Sequence, residues 1–215
     1  MNVDVVLFDL DGTLVNSIPA IAYAFNTVLK ELGYETYEVS KYSDFVGGGF
    51  YVLFDRINKL QNIKEDKNYF VSKVMKVYEK NMLHDISLYK GIDKLLDFLT
   101  TNKIKIGIVT NKDHIFALNH TKTILSKWHF DYVIGASREN EYPNKPNPYG
   151  VNKIIDDNKY DKSRVLFIGD MNVDYETAKN ADVRYIHCSW GYDKQNRYKE
   201  HEVANVDEII KRLYD

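Results

Sequence analysis

The chain has 215 residues, 44% of them hydrophobic, enough for one sizeable core or a core with a smaller insertion. Its 29 Lys and Arg against 31 Asp and Glu give a formal net charge of -2. That balance excludes the basic stripe of a nucleic-acid binder and the acidic block of a solvating tail. The single cysteine, Cys188, excludes an internal disulfide framework and a cysteine-rich metal site, and fits a reducing compartment.

The opening MNVDVVLFDLDGT lacks the basic and then apolar pattern of a signal peptide, and no apolar run approaches the roughly 20 residues that span a bilayer. The expectation is a cytoplasmic protein with no membrane segment and no nucleic-acid partner. Pro and Gly are sparse, and no internal repeat is visible.

Val3 to Phe8 is a short apolar, β-branched run that ends at Asp9. Ile104 to Val109 and Val165 to Ile168 repeat the pattern, ending in Thr110-Asn111 and Gly169-Asp170. Tyr132 to Ile134 and Arg184 to His187 are weaker candidates. Short runs that are apolar throughout suit strands buried on both faces, as in a parallel sheet. Between them, Ile92, Leu95, Leu96 and Leu99 share one helical face, and Val151, Ile154 and Ile155 share another. Asn147 is the expected N-cap of the second helix, with Pro148 in its first position. This alternation predicts an α/β fold with a doubly wound, Rossmann-like parallel sheet.

Residues 16–87 break the alternation. Ile18, Ile21, Ala22, Phe25, Val28, Leu29 and Leu32 recur at helical spacing, with Gly33 as a stop. Tyr51 to Leu60 and the face Val71, Val74, Val77 and Tyr78 predict two more helices, and no convincing strand is visible. The expected organisation is a core of residues 1–15 and 88–215 carrying an inserted all-helical cap, 16–87. An insertion directly after the first strand falls at the carboxyl ends of the strands, where open α/β sheets bind ligands. The run Gly47-Gly48-Gly49 reads either as an interhelical turn needing positive φ or as bare backbone that approaches a ligand.

Asp9 and Asp11 stand two apart where the first strand runs out, so both carboxylates face the same way while the chain stays extended. Close carboxylates are costly to ionise together unless a cation or proton intervenes. A hard cation such as Mg²⁺ prefers oxygen ligands. Asp170 and Asp174 supply more carboxylates after another strand, and neighbouring strands would bring both sets to one rim. Thr110 and Asn111 end a third strand, and Lys145 lies in the stiff loop Asn144-Lys145-Pro146-Asn147-Pro148. Taken singly, Thr110 also reads as a strand-end hydroxyl, Lys145 as a surface lysine and Asp174 as a first-turn helix acid. All four groups nevertheless follow predicted strands in one order. The pattern Asp-x-Asp-Gly-Thr alone arises by chance in roughly one chain of this length per thousand.

Asp9-Leu10-Asp11-Gly12-Thr13-Leu14, Val109-Thr110-Asn111-Lys112, Lys145-Pro146 and Gly169-Asp170-Met171-Asn172-Val173-Asp174 resemble the four motifs of the haloacid dehalogenase superfamily, in that order. The helical insertion, the Thr-Asn-Lys triplet and Ser189-Trp190-Gly191-Tyr192 resemble its phosphoglycolate phosphatase-like branch. Asn16 and Asp182 depart from the pattern, standing where relatives commonly have Asp and Gly.

The resemblance implies a magnesium-dependent phosphatase acting on small phosphate monoesters. Asp9 would be the nucleophile that forms an aspartyl-phosphate, and Asp11 the acid and then the base. Gly12, Thr110, Asn111 and Lys145 would bind the substrate, with Thr110 and Lys145 holding phosphoryl oxygens. Asp9, Asp11, Asp170 and Asp174 would hold Mg²⁺, Asp11 through its backbone carbonyl and Asp174 directly or through water. The expected partner is a small phosphorylated metabolite, phosphoglycolate first, and monomer and homodimer both fit. A sugar phosphomutase and a pyrophosphatase or nucleotidase of the same superfamily are the alternatives within the fold. A receiver domain and an inactive binding protein are the alternatives outside it.

Overall fold

The computed structural model describes residues 2–137, 141–193 and 200–214. The chain divides into two compact units, residues 1–15 with 88–215, and residues 16–87. In the first unit six parallel strands are ordered β5-β4-β1-β6-β7-β8. They are β1 (Val5–Phe8), β4 (Lys105–Asp113), β5 (Tyr132–Ala136), β6 (Val165–Gly169), β7 (Arg184–Cys188) and β8 (Glu202–Val203). Five of the six lie where apolar runs place them. β8 has two residues and too little pattern to be seen in the sequence.

β1 reads Val-Val-Leu-Phe, and all four side chains are fully buried. A strand with no polar face needs cover on both sides and partners on both edges. Accordingly Phe8 registers with Ile108 of β4 and with Ile168 of β6. From β1 the chain steps outward to β4 and β5 and then returns to β6, β7 and β8 on the other side, so the strand order reverses beside β1, at a switch point where a crevice opens. On one face Val5, Leu7, Val109, Val165 and Phe167 pack with Val151, Ile154 and Ile155 of α6 (Tyr149–Asn158) and with Ala178 and Ala181 of α7 (Asn172–Ala181). Helices α4 (Ile92–Thr101), α5 (His114–Lys122) and α8 (Val206–Arg212) complete the unit.

α6 begins one residue later than the sequence suggests. Pro148 occupies the cap position, and the Asn147 carboxamide oxygen accepts the Tyr149 N–H at 3.0 Å. β4 runs four residues past the expected end at Val109, because a register shift against β5 between Val109 and Asp113 keeps the chain extended through Thr110, Asn111 and Lys112. Asp182 takes the left-handed position after α7 at φ 58, a place glycine usually fills.

In the second unit α1 (Ile18–Glu31), α2 (Phe50–Gln61) and α3 (Lys67–Asn81) gather around Phe25. Its ring lies 5.6 Å from Phe50, 6.2 Å from Phe70 and 6.3 Å from Tyr42, tilted or edge-on. Asn26 ties the following loop to α1. Its amide donates to Tyr37 O at 2.8 Å, and its oxygen accepts from Tyr37 N at 3.0 Å and from Tyr42 Oη at 2.8 Å. Gly47, Gly48 and Gly49 all have φ between 85 and 98, which other residues adopt only at a cost. Two short strands, β2 (Val15–Asn16) and β3 (Ser87–Leu88), pair as a separate sheet where the sequence passes between the units, a region in which the sequence shows no strand. Ser17 is the cap residue of α1, and it makes no side-chain cap bond. Among the described residues no helix is long and apolar enough to cross a membrane.

Candidate active site

β1, β4 and β6 lie side by side, so their carboxyl ends deliver Asp9, Thr110 and Asp170 to one rim. One carboxylate oxygen each from Asp9, Asp170 and Asp174 lies within 4.8 Å of the others, and all three residues are buried. Lys145 reaches this cluster from the loop before α6. Its Nζ donates to Asp9 Oδ1 at 2.7 Å and to Asp174 Oδ1 at 2.6 Å, and its side chain is 3% exposed. The Lys145–Pro146 bond is cis.

Asp170 is held by neutral donors. Thr13 Oγ1 donates to its Oδ1 at 2.9 Å, and the Tyr192 backbone N–H to its Oδ2 at 2.7 Å. Asp174 serves its own helix as well. Its Oδ2 accepts the N–H groups of Asp170 at 3.1 Å and Met171 at 2.9 Å, so the helix-acid reading and the site reading hold together. Gly12 allows the close approach, since a Cβ there would lie 2.3 Å from Asp170 Oδ2, at φ +95.

Asp11 stands apart from the three. Its two oxygens each accept from Lys112 Nζ at 3.0 Å. The Asn111 side chain is turned to the Lys145 main chain, donating to Lys145 O at 3.0 Å and accepting from Lys145 N at 2.9 Å. It latches the end of β4 to the loop that carries Lys145. Thr110 is buried, and its oxygen accepts the Lys112 N–H at 3.2 Å, a bond that does not use the hydroxyl proton. Trp190 Nε1 donates to Thr13 O at 3.2 Å and so braces the turn after β1.

Charge in this enclosure is out of balance. Burial, with the Asp174 and Asp11 charges adding, outweighs the pull of Lys145 and raises the Asp9 pKa to about 6. Burial, then the charges of Asp174 and Asp9, lifts Asp170 well above the usual carboxylate range. Burial acts to lower the pKa of Lys145, but Asp174 and Asp9 outweigh it, and the net shift is upward. One ammonium thus serves two of the three buried carboxylates, Asp9 and Asp174, and Asp170 receives only neutral donors in the contacts described above. A divalent cation with a taste for oxygen ligands fits that deficit.

Thr13 and Lys112 are the site residues that the sequence did not single out. Their partners are 157 and 101 residues away, and only their place beside predicted motifs could have marked them.

Comparison with known proteins shows the family. The family model described as haloacid dehalogenase-like hydrolase matches residues 6–188. The chain is 31% identical to a phosphoglycolate phosphatase of Aquifex aeolicus, over 97% of this chain and 96% of that one. It is 29% identical to a phosphoglycolate phosphatase of Pseudomonas syringae pv. tomato, over 97% of this chain and 77% of that one. A haloacid dehalogenase-like family hydrolase from Streptococcus pneumoniae superposes with a TM-score of 0.84 at 22% identity, covering 99% of each chain, and supports the fold. The chain belongs to the haloacid dehalogenase-like hydrolase family. Within that family it is an enzyme of the phosphatase class.

Proposed function

We propose that the protein hydrolyses small phosphate monoesters, phosphoglycolate first among them, through a phosphorylated Asp9, with Mg²⁺ as its cation. The observation that carries this reading is the meeting of Asp9, Asp170 and Asp174 around Lys145, with Asp11 beside them on its own lysine. Two phosphoglycolate phosphatases with about 30% identity over nearly the whole chain support the substrate.

In the first step a carboxylate oxygen of Asp9 bonds to phosphorus as the bond to the leaving oxygen breaks. Asp11 gives that oxygen its proton. In the second step water bonds to phosphorus, its proton passes to Asp11, and the Asp9–phosphorus bond breaks to release inorganic phosphate. Splitting one displacement into two lowers each barrier, and a positioned acid or base contributes about 10²–10⁴. Thr110 and Lys145 hold phosphoryl oxygens in line, and Asn111 keeps the Lys145 loop in place. Gly12 gives the phosphoryl group room. The residues for the cation are Asp9, the backbone carbonyl of Asp11, Asp170 and Asp174; when bound, the ion supplies neutralisation of negative charge. The helical unit 16–87 serves as the cap that selects the leaving group.

The test is phosphate release across a panel of phosphorylated metabolites with Mg²⁺, run beside Asp9→Asn. Phosphoglycolate is expected to lead the panel. Acid-quenched wild type is expected to carry a phosphate on the peptide containing Asp9, seen by mass spectrometry. Appreciable turnover by a verified Asp9→Asn preparation would sink the nucleophile assignment.

A further inference from the structure

We propose that Lys112 is the positioning residue for the hydrolytic step: it clamps both oxygens of Asp11 and thereby aims that carboxylate at the water that releases phosphate from Asp9. The inference rests on the aspartyl-phosphate reading above and adds a residue to it.

The geometry has three parts. First, the two acids are served by two different lysines. Lys145 holds Asp9 and Asp174, whereas Lys112 Nζ lies 3.0 Å from both Asp11 Oδ1 and Asp11 Oδ2. An ammonium shared between both oxygens fixes where the Asp11 carboxylate lies, because carrying the group away lengthens two charge-assisted bonds at once. Second, the clamp is set back from solvent. The Lys112 side chain is 5% exposed and that of Asp11 is 20% exposed, so the ammonium is the deeper member of the pair. Third, the clamp is mounted on the element that carries Thr110. The extended stretch past Val109 returns the Lys112 N–H to Thr110 Oγ1 at 3.2 Å, so the phosphate-holding hydroxyl and the ammonium that holds Asp11 share the end of one strand.

One neighbour of Lys112 carries no charge. His120 on α5 is fully buried; its Nδ1–H donates to Phe116 O at 2.8 Å, and its Nε2 has no hydrogen-bond partner among the described residues. Burial first, and the Lys112 charge second, keep the ring uncharged. His120 therefore adds no charge beside the Lys112–Asp11 pair.

The two chemical steps separate this role from a merely structural one. With 4-nitrophenyl phosphate the leaving phenolate is stable without a proton, so forming the Asp9–phosphorus bond needs little from Asp11. Breaking that bond does need it, because water must lose a proton to Asp11 as its oxygen bonds to phosphorus. A misplacement of about 1 Å can cost 10²-fold in a step that depends on aim.

The experiment is rapid-quench and steady-state kinetics with 4-nitrophenyl phosphate and Mg²⁺ on wild type, Lys112→Met, Lys112→Gln, Lys112→Arg and Asp9→Asn. In Lys112→Met the nitrophenolate burst should keep its rate within about threefold. Steady-state turnover should fall about 10- to 100-fold, and phosphorylated enzyme should accumulate. Lys112→Arg, which keeps a forked cation, should recover part of the turnover and accumulate less. Lys112→Gln is read like the Met variant should that one fail to fold. A burst and a turnover that fall together, or a turnover left as in wild type, overturns the proposal. Turnover by Asp9→Asn sinks the aspartyl-phosphate reading and the proposal with it, whereas an inert Asp9→Asn beside an unaffected Lys112→Met overturns the clamp alone.

Discussion

Lys145→Met exposes the electrostatics of the site as a stability change that depends on pH. Methionine refills the apolar stem but leaves Asp9 and Asp174 facing each other without the ammonium that now lies 2.7 and 2.6 Å from them. Removing one partner from a buried ion pair costs about 3–5 kcal/mol. The carboxylates can relieve part of that cost by taking up a proton, and they are already inclined to, since the Asp9 pKa is raised to about 6 with Lys145 in place.

In the variant the folded state therefore binds a proton that the unfolded chain, with an ordinary Asp at 3.8, has released. Stability then falls as pH rises, by about 1.4 kcal/mol per unit for each such proton. The deficit against wild type should be about 1–2 kcal/mol at pH 5.5 and about 3–5 kcal/mol at pH 8. Urea unfolding at both pH values, with chelator present to keep cations out, measures it. A deficit under about 1 kcal/mol at pH 8, or one equal at the two pH values, would refute the placement of Lys145 between the acids.

Three further outcomes are expected. Activity should vanish with chelator and return with Mg²⁺, Ca²⁺ should inhibit through its larger and looser shell, and Asp170→Ala should raise the Mg²⁺ requirement or remove activity; full activity in metal-free buffer would contradict the cation site. Burial lowers the His120 pKa from 6.5 to about 4, so the unfolded chain binds the extra proton between those values. That contribution is present above pH 6.5 and about 3 kcal/mol of it is lost by pH 4, a loss that should be missing from the unfolding curves of His120→Gln. Gly48→Val should cost about 1–3 kcal/mol, since φ is +97 and the new side chain starts 3.0 Å from Val52 Cγ2; an unchanged melting temperature would show that the loop accommodates a side chain.

Much of this molecule was legible because burial on two faces leaves a plain mark. Val5 to Phe8, Ile106 to Val109 and Val165 to Ile168 are apolar without alternation, and each meets polar residues where the sheet ends. Strand ends therefore announced Asp9, Thr110 and Asp170 before any distance was known. What stayed hidden depended on distant partners or on fine geometry. Thr13 belongs to the first motif, but nothing local says that its hydroxyl meets Asp170. Asn111 looked like a ligand for substrate, because its latch on Lys145 spans 34 residues. Lys112 needed the register shift in β4 to point it at Asp11. β2, β3 and β8, with two residues each, carry no periodicity to detect.

The central position of β1 has a consequence for the order in which the chain can fold during synthesis. Its backbone pairs on one side with residues 105–108 and on the other with residues 165–168. At about 5–20 residues per second the ribosome needs roughly 8–30 s to travel from β1 to the last of these partners. Until residues 105–108 are made neither edge of these four apolar residues is satisfied, and until residues 165–168 are made one edge stays open, while residues 16–87 are already available to collapse around Phe25. β1 is thus an early-made segment whose pairing is completed late. A chaperone or a slow stretch of translation should act on this chain in the window between residue 8 and residue 168.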